Sequence, residues 1–141
     1  MGFITEDDYN VLIRTEIKSI LLENYTEQKL LSAEEMAISQ IKNYLRGYYD
    51  VNQIFSAEGN NRSAYMVMIT IDCALYHLYT SLAPNKIPQH RTERYADALD
   101  WLKSISKGET KADLPEIVDE DGKVKTSIRL TSRYKRQNYK Y

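Results

Sequence analysis

The sequence predicts an all-α protein, a compact bundle of about four helices followed by a C-terminal extended or β-hairpin arm. Three observations carry that prediction. Thr70–Tyr79, TIDCALYHLY, is apolar around nearly its whole circumference, which marks a core helix. Arg91–Gly108, RTERYADALDWLKSISKG, has one apolar and one charged face, as a helix packed on that core would have. After Leu114-Pro115 the helical spacing gives way to short apolar pairs separated by turn formers.

Each element follows from local chemistry. Thr5 is placed to cap a first helix, with Asp8 closing the box three residues on and Glu6 and Asp7 at the positive end of the dipole. Its apolar face would be Leu12, Ile13, Ile17, Ile20 and Leu21. Residues 24–31 read as a connection. A second box, Ser32-Ala33-Glu34-Glu35, reads as the start of the next helix, with Ile38, Ile41, Tyr44, Leu45 and Tyr48 on one stripe. That helix should fray near Gly47–Asp50. Residues 51–62 read as a loop, because Glu58-Gly59-Asn60-Asn61 is rich in turn formers. The core helix must end before Pro84, since Pro84 and Pro88 exclude the preceding residues from α geometry. The last helix spans Gln89–Lys107 with Gly108 as a left-handed stop, its stripe being Tyr95, Ala98, Leu99, Leu102 and Ile105 with Trp101 at the flank.

Two regions are expected: a helical body over 1–115 and an arm over 116–141. Within the arm, Ile117-Val118, Asp121-Gly122 and Val124 suggest a hairpin over 116–131 with a type I′ turn. Residues 132–141, SRYKRQNYKY, offer no aliphatic anchor and are expected to be mobile in the isolated subunit.

The chain has 141 residues, 43% of them hydrophobic and 28% charged, which suits one globular domain with or without an arm. A net charge of −1 argues against a whole-protein electrostatic grip on nucleic acid. Charge is nevertheless uneven: residues 109–122 carry six acidic side chains against Lys111, and from Lys123 onward every charged side chain is basic. The single cysteine, Cys73, lies in the apolar run and reads as a buried thiol. MGFITEDDYN has neither the basic nor the apolar stretch of a secretory leader, and Glu6 stands where a myristoylation signal needs Ser or Thr. The run Ala64–Ala83 approaches membrane-spanning length, but Asp72, His77 and three tyrosines make a core helix the better reading.

Candidate chemistry is sparse. His77 and His90 have no companions at metal-ligand spacing. Nucleophile elbows, phosphate-cradling glycine loops and clustered carboxylates are missing from the sequence. No catalytic function, cofactor or metal is expected. Asp72 stands out, because an unpaired carboxylate on an apolar helix is costly; Arg94 is its expected partner, with tyrosine hydroxyls as the alternative. The tail joins Arg129, Arg133, Lys135, Arg136 and Lys140 to Tyr134, Tyr139 and Tyr141. That mixture suits an arm ordering on a protein partner, a passive solubilising tail, or direct contact with nucleic acid.

Three stretches carry a family likeness: AISQIKNYLRGYYDV (Ala37–Val51), IDCALYHLY (Ile71–Tyr79) and RYADALDWLKSISKGE (Arg94–Glu109). In these, and in the proline-containing connection before the Arg94-Tyr95 pair, the chain resembles the Mu-like phage head–tail connector family over roughly residues 3–115. Residues 116–141 have no counterpart in that likeness. The resemblance implies a non-enzymatic virion protein at the capsid neck. It implies a homo-oligomeric ring below the portal protein that extends the DNA channel and docks the tail or its stopper. The partners implied are the portal, neighbouring copies, the tail or stopper and genomic DNA passing without sequence-specific binding; no membrane is implied. Tyr48, Tyr49, Arg129, Arg133, Tyr134, Lys135, Arg136 and Tyr139 are the expected contact residues. The competing reading is a small helical nucleic-acid-binding or regulatory protein that grips through its basic tail.

Overall fold

The computed structural model describes residues 3–12, 27–82 and 84–118. Its helices are α1 (Glu6–Leu12), α2 (Glu27–Leu45), α3 (Val51–Ser56), α4 (Ala64–Leu82) and α5 (Gln89–Ser106), with 3₁₀ turns at Gly59–Asn61 and Pro84–Lys86. The architecture is a helical bundle. α4 lies against both α2 and α5, which also touch each other.

α4 forms the centre because its side chains leave it no choice. Eleven of its nineteen residues are buried, from Met66 to Tyr79, so neither flanking helix could leave it without exposing a large apolar surface. Its polar members are accommodated one by one. The Thr70 hydroxyl donates to the Met66 carbonyl at 2.6 Å, the usual way a helix absorbs a buried threonine. Cys73 is fully buried, and burial pushes its thiol up to about 12, which leaves it a small inert packing group. α5 presents Ala98, Leu102 and Ile105 to the core, with Tyr95, Leu99 and Trp101 half-buried beside them. It closes at Gly108, whose φ of +76° is reached cheaply only without a Cβ.

α2 corrects two expectations. The segment read as a connection over 24–31 is helical from Glu27 onward, so Ser32 sits inside a helix and opens nothing. Ahead of the supposed cap, Gln28, Lys29, Leu30 and Leu31 are strong helix formers and Leu30 packs half-buried against the core; the buried row Ala33, Ala37, Ile41 and Leu45 then carries the helix on. At its other end the helix stops at Leu45, ahead of the turn at Gly47.

Residues 51–62 are not a plain loop either. The Asp50 side chain accepts from the Gln53 amide at 3.2 Å, capping α3, and Ile54 is buried. Phe55 meets Phe3 edge to face at 4.9 Å, so aromatic burial supports a helix that the turn formers behind it obscured. The proline connection contains one 3₁₀ turn, which needs less room than an α-helix.

α1 begins as the capping rule requires: the Thr5 amide donates to Asp8 Oδ2 at 2.7 Å and the Asp8 amide to Thr5 Oγ1 at 3.4 Å. Asp8 also takes a two-pronged hydrogen bond from Arg62 at 2.6 and 3.1 Å. Burial alone would raise its carboxyl, but the hydrogen bonds from Arg62 and Thr5 outweigh that and hold it below its ordinary value. Tyr9 donates to Glu34 on α2 at 2.5 Å. A seven-residue helix is thereby tied to two other parts of the body, the stretch at Arg62 and α2.

The boundary near 115 is not where the body ends. The Asp50 amide donates to the Pro115 carbonyl at 2.8 Å, the Ile117 amide to the Tyr48 carbonyl at 3.1 Å, and Tyr49 and Glu116 form an antiparallel bridge. Among the described residues the arm begins with this bridge. The turn expected at Asp121-Gly122, the rest of the hairpin expected up to residue 131 and the tail 132–141 lie outside the described residues, as do Ile13, Ile17, Ile20 and Leu21.

Candidate functional site

The most buried charge in the bundle is Asp72, 5% exposed. The turn of α4 that carries it faces the first half of α5, where Arg91 and Arg94 stand three residues apart and so on one side of their helix. Arg94 Nε donates to Asp72 Oδ1 at 2.8 Å and Arg91 Nη1 to the same oxygen at 3.3 Å. Arg91 is 6% exposed, whereas the Arg94 side chain is 40% exposed. One carboxylate therefore holds a buried and a half-exposed guanidinium. The sequence reading reached Arg94 and missed Arg91, although the three-residue spacing between them was the signal available.

A second polar node joins α2, α4 and α5. His77 Nε2–H donates to Gln40 Oε1 at 2.9 Å, and Gln40 Nε2 donates to the Tyr95 hydroxyl at 3.0 Å. Tyr95 stacks on Tyr76 at 4.0 Å with the rings nearly parallel, and His77 meets Tyr95 edge-on at 5.7 Å. Burial pushes the His77 imidazole below its ordinary value. Both nodes are braces: every polar atom named here is met by another helix, and no nucleophile is paired with a base. Among the described residues no three His, Cys, Asp or Glu side chains are grouped to hold a metal ion, and no helix is long and apolar enough to cross a membrane.

The tyrosines expected at contacts with other proteins have a different setting. Tyr48 and Tyr49 are 6% and 3% exposed, and they clasp their own chain: the Tyr49 hydroxyl accepts from the Ala112 amide at 2.8 Å. Their rings are covered by the segment that follows α5, so in this subunit they present no free surface. Arg129, Arg133, Tyr134, Lys135, Arg136 and Tyr139 lie outside the described residues.

The open surface lies elsewhere, at the N-terminal end of α4. Tyr65 is 46% exposed and meets the half-buried Trp101 of α5 edge to face at 4.9 Å. The two rings line a groove of about 310 Å³, completed by Ser63, Met66 and the stretch Lys111–Leu114. A neighbouring pocket of about 210 Å³ shares Tyr65 and runs over Asp72 to Arg94 and Asp97. The sequence reading placed Trp101 only at a helix flank and did not single out Tyr65.

A braced helical bundle with an open aromatic groove among the described residues defines a class of small helical proteins. The comparison with family models is more specific. The model for the family described as "Bacteriophage Mu, Gp36" matches residues 3–128, and the chain belongs to that family. It is thus a phage-related protein. The match runs beyond Pro115, so residues 116–128, without a counterpart in the resemblance first drawn, fall within the family's reach. No curated protein and no solved structure matches the chain.

Proposed function

We propose that this chain is a structural virion protein, a head–tail connector or adaptor subunit, and not an enzyme. Copies of it form a ring below the portal protein at the capsid neck, extending the DNA channel and docking the tail or its stopper. The observation that carries this reading is the family match over residues 3–128, joined to the likeness of the Ala37–Val51, Ile71–Tyr79 and Arg94–Glu109 stretches to phage connectors. The physics of the body supports it. A ring subunit must keep its shape while loaded by its neighbours, and one buried and one half-buried polar node plus the clasped segment 112–117 give such stiffness. DNA would pass without sequence-specific binding, consistent with a net charge of −1.

The segment beyond Val118 is the part available to bridge to a partner, at an entropic cost offset by repetition around the ring. Mixing the purified chain with the portal complex of its phage, followed by size separation, tests the proposal. The full chain is expected to co-migrate with the portal, and a chain ending at Val118 to remain free. A full chain that never joins the portal, but binds duplex DNA in a salt-dependent way through residues 123–141, would favour the nucleic-acid-binding reading instead.

A further inference from the structure

We propose that the groove between the start of α4 and the end of α5 is a docking site for the basic C-terminal segment, residues 123–141, of the same chain. The inference stands apart from the connector reading. It begins with charge: residues 123–141 hold seven basic side chains and no acidic one, whereas residues 1–122 hold twelve basic against twenty acidic. The two parts attract each other, with a force that salt weakens.

The groove is where that attraction meets a fitting surface. Tyr65 and Trp101 offer aromatic faces, and an indole is the best ring for a guanidinium or ammonium to sit on. Exposed carboxylates flank them, Asp113 in the groove and Asp97 in the adjoining pocket. Lys111 on the rim opposes a cationic occupant, so the segment should approach from the carboxylate side. Arg133, Tyr134 and Arg136 supply planar groups for the rings and charges for the carboxylates.

Chain geometry selects the same molecule as the source. Leu114 lines the groove, the described chain ends four residues later at the exposed Val118, and 23 residues follow. A tether this short gives an effective concentration on the order of millimolar, far above the micromolar concentration of other copies in a dilute sample.

Trp101 is the only tryptophan in the chain and reports directly on the groove. In the full chain, raising salt from about 50 mM to about 500 mM should shift its emission to the red and raise acrylamide quenching roughly twofold, as the docked segment is released. The full-length variant R133Q/K135Q/R136Q should show the high-salt emission and quenching already at low salt. The effect should be the same at about 1 and about 50 μM protein, which marks an intramolecular contact. No salt response in the wild-type chain, or an unaltered response in the variant, would overturn the proposal. A response that grows with concentration, together with a larger species in sedimentation, would also overturn it by making a second copy the occupant.

Discussion

Asp72 holds two arginines with one oxygen, and the two differ in what they would lose. Removing the carboxylate as Asp72→Ala leaves Arg91 buried without its counter-charge, a change expected to cost about 3–5 kcal/mol. Arg94→Ala removes a side chain that is 40% exposed, and solvent screening should keep its cost to about 1 kcal/mol or less. Chemical denaturation of both variants checks the ranking, and equal losses would show that separating Asp72 from the buried Arg91 adds no cost. His77 gives a pH dependence at the same scale. Its folded-state pKa is depressed by burial below the ordinary 6.5, so the unfolded chain binds the proton first. Its contribution to stability is complete above about pH 6.5 and is lost as pH falls through that value towards the folded pKa. The groups around it are Gln40, Tyr76 and Tyr95. A melting temperature falling between about pH 7 and pH 5, with a flatter profile in His77→Gln, is the expected result.

At the scale of elements, a capping box means something only where a helix starts. Thr5 and Asp8 exchange hydrogen bonds, and Thr5→Ala should cost about 1 kcal/mol. Ser32→Ala, the same substitution at the box that lies inside α2, should be neutral or slightly stabilising, because alanine is the better helix interior residue. Thermal melts of the two variants separate the cases. This pair also explains which elements were legible in the sequence. α4 and α5 could be read because burial on them is carried by large apolar residues at helical spacing, bounded by prolines and Gly108. The first turns of α2 could not, because Gln28, Lys29, Leu31 and Ser32 are exposed and Leu30 packs only partly against the core, which leaves no apolar stripe to read. α3 was hidden by its own brevity beside the turn formers 58–61, and only the packing of Ile54 and Phe55 reveals it. Of the site, the Asp72–Arg94 contact followed from the cost of a lone buried charge, which acts within any fold. The Tyr65–Trp101 groove did not, since it depends on where residues 111–114 return across two helices.

For the whole molecule, the clasp at Tyr48 and Tyr49 divides what belongs to the body from what is free to bridge. A chain ending at Val118 keeps the hydrogen bonds to Ala112, Pro115 and Ile117, and its melting temperature should stay close to that of the full chain. A chain ending at Thr110 loses three hydrogen bonds and uncovers two tyrosine rings. A fall of about 5–10 °C is expected there. The first truncation thus removes the segment proposed to bridge while sparing the fold, which makes it the appropriate partner for assembly experiments. The membership of the chain in the Mu Gp36 family directs attention to the phage particle. The most direct measurement is an electron-microscopic reconstruction of the phage neck with this chain labelled. The account predicts density for the chain as a closed ring immediately below the portal. Label found on the tail tip or inside the capsid, or missing from purified particles, would contradict it.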